Sequence, residues 1–152
     1  PLRGDRRGRM SQKQKLSRKG ALWILYAADV CEESPGEASV RTRPLVVDLE
    51  PQVEAAWPLV QQRIEGVEAD GEFLDAEVQS VSRRWRLPRM ATIDRNILRI
   101  GAFELLRMDA IPPIVTINAC VELAKTYGEE SSPGFVNGLL DQMCKEHGIE
   151  VG

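Results

Sequence analysis

The sequence predicts an all-α helical bundle of about seven helices in a single domain, and three observations carry that reading. First, three segments near the C-terminus repeat apolar residues at helical spacing: Ile93–Met108, Ile114–Gly128 and Pro133–Gly148. Second, the breaks between them are short, and Pro112, Pro113, Ser132 and Pro133 punctuate them. Third, no two runs alternate apolar and polar residues in a way that would pair as a sheet.

Residues 1–12 are rich in arginine and glycine and lack apolar spacing, which predicts a disordered basic arm. The folded domain is expected over 13–148. Its first helix runs from about Gln12 to Glu33, apolar over most of its circumference through Leu16, Leu22, Trp23, Ile24, Leu25 and Tyr26. Ser34–Pro44 reads as a loop from its Pro, Gly and Ser content. Leu45–Leu49 is a short apolar run, readable as a strand, a helix entry or a tether. A helix is expected over Pro58–Glu68, with Pro58 in its first turn. Another is expected from Glu72 to about Arg84, with Trp85 and Leu87 extending its apolar side and Pro88 closing it.

The segment from Ile93 is the most apolar and should lie at the centre of the bundle, with Thr92 as its N-cap. Gly101 inside it costs about 1 kcal/mol of helix propensity relative to Ala, which close packing of a neighbouring helix would explain. Gly128 reads as a C-terminal stop, and Ser132-Pro133 as an N-cap with proline at the first helical position. Gly134 and Gly138, four apart, suggest a second close helix approach.

The net charge of −3 hides an asymmetry. Residues 1–20 carry +7 and the remainder −10. A basic arm on an acidic body suits a polyanion such as nucleic acid, and equally a solvated tail. Lys13, Lys15, Arg18 and Lys19 carry the arm's charge onto the first helix. The start of the last helix, Ser131 to Phe135, offers a helix N-terminus suited to phosphate. Phe135 is either core or a base-stacking residue.

Nothing in the sequence argues for an enzyme. There is no phosphate-binding glycine loop, and His147, the one histidine, has no partner at metal spacing. No catalytic residue, metal or cofactor is expected. Cys31, Cys120 and Cys144 form no disulfide framework, which fits a reducing, cytoplasmic setting. No apolar run approaches a membrane span, and no secretory signal is visible.

Two segments resemble the bacterial transcription antitermination factor NusB family: KLSRKGALWILYAADV (Lys15–Val30), and Ile93–Asp141 with its LRIGAFEL, IPPIVTINACVELAKTYG and FVNGLLD stretches. The resemblance implies two three-helix halves and a factor that acts without catalysis. It implies binding to boxA RNA of ribosomal RNA leaders together with NusE, a small-subunit ribosomal protein. Loading onto RNA polymerase with NusA and NusG is also implied. It assigns phosphate contacts to Lys13, Lys15 and Arg18, with Lys19 beside them, and an RNA-facing loop to Glu130, Ser131 and Ser132. It puts Phe135 near the RNA, and Tyr26 and Asp94 on the NusE-facing surface. Ser131 and Gly134 depart from the family's usual acidic and basic residues there. A homodimer is left open, because some members dimerise. A related fold serves as the accessory RNA-binding domain of a ribosomal RNA methyltransferase; without a cofactor-binding α/β segment, a free-standing factor is expected here.

Overall fold

A computed structural model describes the backbone of residues 2–152 and the side chains of residues 8–152. Among these residues there are seven α-helices: α1 (Leu2–Cys31), α2 (Pro35–Leu49), α3 (Trp57–Ala69), α4 (Gly71–Val81), α5 (Thr92–Arg107), α6 (Pro113–Tyr127) and α7 (Ser132–Glu146). Two short 3-10 turns, Pro51–Ala56 and Leu87–Arg89, complete the elements. The chain divides into two compact units, the first ending at Glu68 and the second spanning Ala69–Gly152.

In the first unit, α1 buries Leu16, Ala21, Leu22, Ile24, Leu25 and Ala28. Gly20 lets it approach closely, since an added Cβ would lie 3.0 Å from a Val53 methyl and 3.2 Å from a Val60 methyl. Arg63 of α3 is fully buried; it donates to the Leu59 carbonyl at 3.1 Å and to Gln14 Oε1 at 2.6 Å. The helix does not start near Gln12 as the sequence suggests. Its backbone is helical from Leu2, without a break at Gln12–Lys13. That stretch contains no proline, and its arginines, Leu2 and Met10 favour helix enough to offset Gly4 and Gly8.

α2 replaces the expected loop and apolar tether. Ser34 forms a capping box: its hydroxyl accepts from the Glu37 amide at 3.2 Å while Glu37 reaches back to the Ser34 amide. Pro35 occupies the first turn, where its missing N–H costs nothing. Pro44 sits inside the helix, and Ala38, Ser39, Thr42 and Val46 supply the buried face.

In the second unit α5 packs against α4, α6 and α7, as its apolar content suggests. Ile97, Leu98, Ile100 and Ala102 are fully buried, and α6 and α7 add Cys120, Ala124, Val136, Leu140 and Met143. Gly101 has the close neighbour its cost calls for: an added Cβ would meet both Leu140 methyls at 2.9 Å and the Cys120 sulfur at 3.2 Å. Gly134 and Gly138 do not, because an added Cβ at either would meet nothing within 4 Å. Both face solvent, so they allow no close helix approach. Glu104, 1% exposed, accepts from the Thr116 hydroxyl at 2.7 Å, which ties α5 to α6. Arg99 grips Asp75 of α4 through two nitrogens, at 2.7 and 3.1 Å.

α4 ends at Val81, earlier than expected, and Trp85 lies 55% exposed in the loop that follows. Thr92 is the first residue of α5 rather than its cap. At the far end of α7, Gly148 takes φ +65, and the Ile149 amide reaches the Cys144 carbonyl at 2.8 Å. This is a Schellman closure that favours glycine. His147 pairs with Glu77 of α4 at 2.6 Å.

Candidate nucleic-acid interface

The basic residues of α1 separate into displayed and spent charges. Lys13 and Lys15 are exposed. They stand two residues apart and therefore on opposite sides of the helix. Lys19 is only partly exposed; its ammonium pairs with Glu50 at 3.3 Å and lies 5.4 Å from the Trp23 ring centroid. Arg18 is 4% exposed, so it is not displayed for a phosphate contact as the resemblance implies. The apolar circumference of α1 is the reason: from Leu16 to Leu25 nearly every position is covered.

The start of α7 is also built differently from a free helix N-terminus. Ser131 is the cap residue and is exposed, but its side chain makes no cap bond. Ser132 is 1% exposed; its hydroxyl accepts from the Glu129 amide at 2.9 Å, and its own amide donates to the Glu129 carbonyl at 3.0 Å. Pro133 has no amide hydrogen. The first turn therefore keeps fewer free donors than the sequence suggests, and Glu129 and Glu130 bring negative charge beside it. Phe135 is half-buried, next to a buried stripe of Val136, Leu140, Met143 and Cys144.

Gly128 closes this turn by lack of volume rather than by an unusual backbone, since its φ of −91 and ψ of −170 suit any residue. An added Cβ would meet Ser132 Cβ and Oγ at 2.6 Å and the Ala124 carbonyl oxygen at 2.8 Å.

Of the two residues assigned to a protein-facing surface, Tyr26 is 42% exposed on α1. Asp94 is not on the surface. It is 8% exposed, and its Oδ1 is buried without a hydrogen-bond partner. Burial raises its carboxyl above the ordinary range, a hydrogen bond from Ser132 acts against that, and nearby Glu129 adds to it. A group held up in this way binds its proton more tightly folded than unfolded. Its contribution to stability is therefore present at low pH and is lost as pH rises through the raised value. Relative to Asp94→Asn, the native protein should lose stability as pH climbs from the usual carboxylate range toward neutrality. Urea midpoints of the two proteins across that range test this, and a constant difference would mean Asp94 titrates normally.

No group of three His, Cys, Asp or Glu side chains among the described residues is placed to hold a metal ion. No described helix is long and apolar enough to cross a membrane. Sequence reasoning passed over the arginine-rich loop after α4, whose signal was the stretch SRRWRLPR (Ser82–Arg89).

Comparison with known proteins gives this helical arrangement a lineage. The model of the NusB family matches residues 15–145. This chain belongs to the NusB family. The transcription antitermination protein NusB of Anaeromyxobacter dehalogenans strain 2CP-1 is 40% identical over 135 residues, covering 89% of this chain and 92% of the relative. That of Desulforudis audaxviator is 38% identical, covering 88% and 94%. Among solved structures, NusB of T. maritima aligns with TM-score 0.76 at 29% identity, covering 88% of this chain and 91% of that one. A chain of the antitermination factors NusB and NusE in complex with dsRNA aligns with TM-score 0.77 at 26% identity, covering 89% and 98%. The family match thus runs from Lys15, within α1, to Lys145, near the end of α7.

Proposed function

We propose that this chain is a transcription antitermination factor that acts by binding RNA together with NusE. The family match over residues 15–145 carries the reading. The finer reading is that its RNA is the boxA element of ribosomal RNA leaders, and that it joins RNA polymerase with NusA and NusG in the cytoplasm. Lys13 and Lys15 are the phosphate contacts of α1, each on its own side of the helix, with Lys19 one turn beyond Lys15 and Arg18 buried. Ser131 and the partly exposed Phe135 form the α7 side, with Ser132 shaping the turn. Tyr26 is the protein-facing residue, while Asp94 is buried and is influenced by Ser132 and Glu129 of the α6–α7 turn.

The test is binding of a boxA-type RNA, with and without NusE, at two salt concentrations. Each neutralised phosphate should contribute about −0.7 to the slope of log K against log salt for a single strand. Lys13→Ala with Lys15→Ala should flatten that slope by about 1.4. Phe135→Ala should weaken binding by about 1–3 kcal/mol with the slope unchanged if its ring stacks on a base. An affinity that ignores salt would count against phosphate binding by α1, and recovery of NusE without any RNA affinity would reduce the chain to a protein-interaction module. Light scattering of the free chain and of the complex reads whether a homodimer forms.

A further inference from the structure

Ser82–Ala91, between α4 and α5, contains four arginines and no acidic residue. Arg83, Arg84, Arg86 and Arg89 are all exposed. None of the four forms an ion pair or side-chain hydrogen bond among the described residues. Elsewhere in this unit arginines are engaged: Arg99 with Asp75 at 2.7 Å, and Arg107 with Asp70 at 3.0 Å while lying 4.3 Å from the Phe73 ring. The flanking carboxylates do not compensate the loop, since Glu77 is taken by His147 and Asp94 is buried. In the middle of this charge stands Trp85, 55% exposed. A tryptophan left in water forfeits the burial energy that usually keeps it inside.

The loop is held in shape from below. Gln79 donates to the carbonyls of Ser82 and Trp85, both at 3.2 Å, and its own carbonyl accepts from the Leu87 amide at 2.7 Å. The Ser82 hydroxyl donates to the Trp85 carbonyl at 2.6 Å. Arg95 of α5 reaches the Pro88 carbonyl at 3.3 Å, and buried Met90 anchors the end. A loop fixed in this way loses little conformational freedom when it binds.

We infer that this loop is a second RNA-contacting surface, for single-stranded RNA, with Arg83, Arg84 and Arg86 on phosphates and Trp85 stacked on a base. A single strand offers a line of negative charge and a planar face at each nucleotide, and the loop presents the complement of both. An acidic protein surface would satisfy the arginines, but only one that also carried an apolar patch would cover the indole face. The inference rests on the RNA-binding reading above and extends the RNA contacts beyond α1 and α7.

The test uses a labelled boxA-type RNA with and without a single-stranded uridine extension, and four proteins: native, Arg83→Gln/Arg84→Gln/Arg86→Gln, Trp85→Ala, and Trp85→Phe. Native protein should bind the extended RNA more tightly. The triple variant should lose that gain, with the salt slope shallower by about 2. Trp85→Ala should weaken binding by about 5- to 150-fold at unchanged slope, and Trp85→Phe should keep most of the affinity. All four should melt together, since the changed side chains are exposed; a variant that melts early is replaced by Arg→Lys at the same positions, which should keep the slope. Equal binding of the extended RNA by native and triple-variant protein would overturn the inference, as would a triple variant that loses only an acidic protein partner. Lys13→Ala/Lys15→Ala serves as the separate arm: if native protein binds no RNA, the RNA reading itself fails and takes this inference with it.

Discussion

Leu140→Ala should destabilise the second unit by about 2–5 kcal/mol. Leu140 is fully buried, and both its methyls lie where a Cβ on Gly101 would come within 2.9 Å. Truncation therefore empties space beside a residue that has no side chain of its own. That arrangement makes the pair non-additive. Gly101→Ala alone gains about 1 kcal/mol of helix propensity but overpacks against Leu140 and the Cys120 sulfur, which costs about 1–3 kcal/mol. In the Leu140→Ala background the same methyl enters a void, so it should stabilise. A double-mutant cycle by urea denaturation should show coupling of about 1 kcal/mol or more; strict additivity would mean α5 and α7 are not in tight contact there.

Gly128→Ala should cost about 3 kcal/mol and weaken RNA binding through the α7 side while leaving the α1 contribution to the salt slope intact. The backbone angles at Gly128 accept alanine, so the cost is steric. The new methyl would overlap Ser132 and the Ala124 carbonyl, and the carbonyl is part of α6 and cannot give way. Ser132 must move instead. It then gives up the Glu129 amide, which donates to its hydroxyl at 2.9 Å, and moves away from the buried Asp94 carboxyl whose charged form it favours. Adding Ser132→Gly should relieve the overlap without restoring the hydrogen bonds, so only part of the loss returns. Gly134→Ala is the control: nothing lies within 4 Å of the added methyl, and melting should be unchanged or slightly raised. Thermal melts and RNA titrations of the three variants decide the matter.

Period and punctuation made α1, α3, α5, α6 and α7 legible in the sequence, because each buries one or more continuous apolar faces. α2 was hidden by composition. Ser34, Pro35 and Gly36 look like a turn, and only Glu37, three residues beyond Ser34, marks a capping box. Pro44 then argues against a helix that its buried face nevertheless sustains. The end of α4 was hidden for another reason: the apolar pattern runs on through Trp85, while Gln79 and Ser82 turn the chain away by bonding its carbonyls. Period does not carry that information. The candidate site was legible in charge but not in exposure. Lys13 and Arg18 read alike in sequence, yet one is in water and the other is 4% exposed. Asp94 looked like a first-turn surface acid, and its burial depends on an α6–α7 turn nearly forty positions away.

The three thiols divide along the same line as the fold. Cys31, in the first unit, is exposed, whereas Cys120 and Cys144, in the second, are buried, and burial pushes the Cys144 thiol up. A maleimide dye applied to the native chain therefore marks one site without any engineered cysteine. The two silent sulfurs become a clock: the rate at which they are alkylated reads the opening of the C-terminal helices alone, while the dye on Cys31 follows the N-terminal ones.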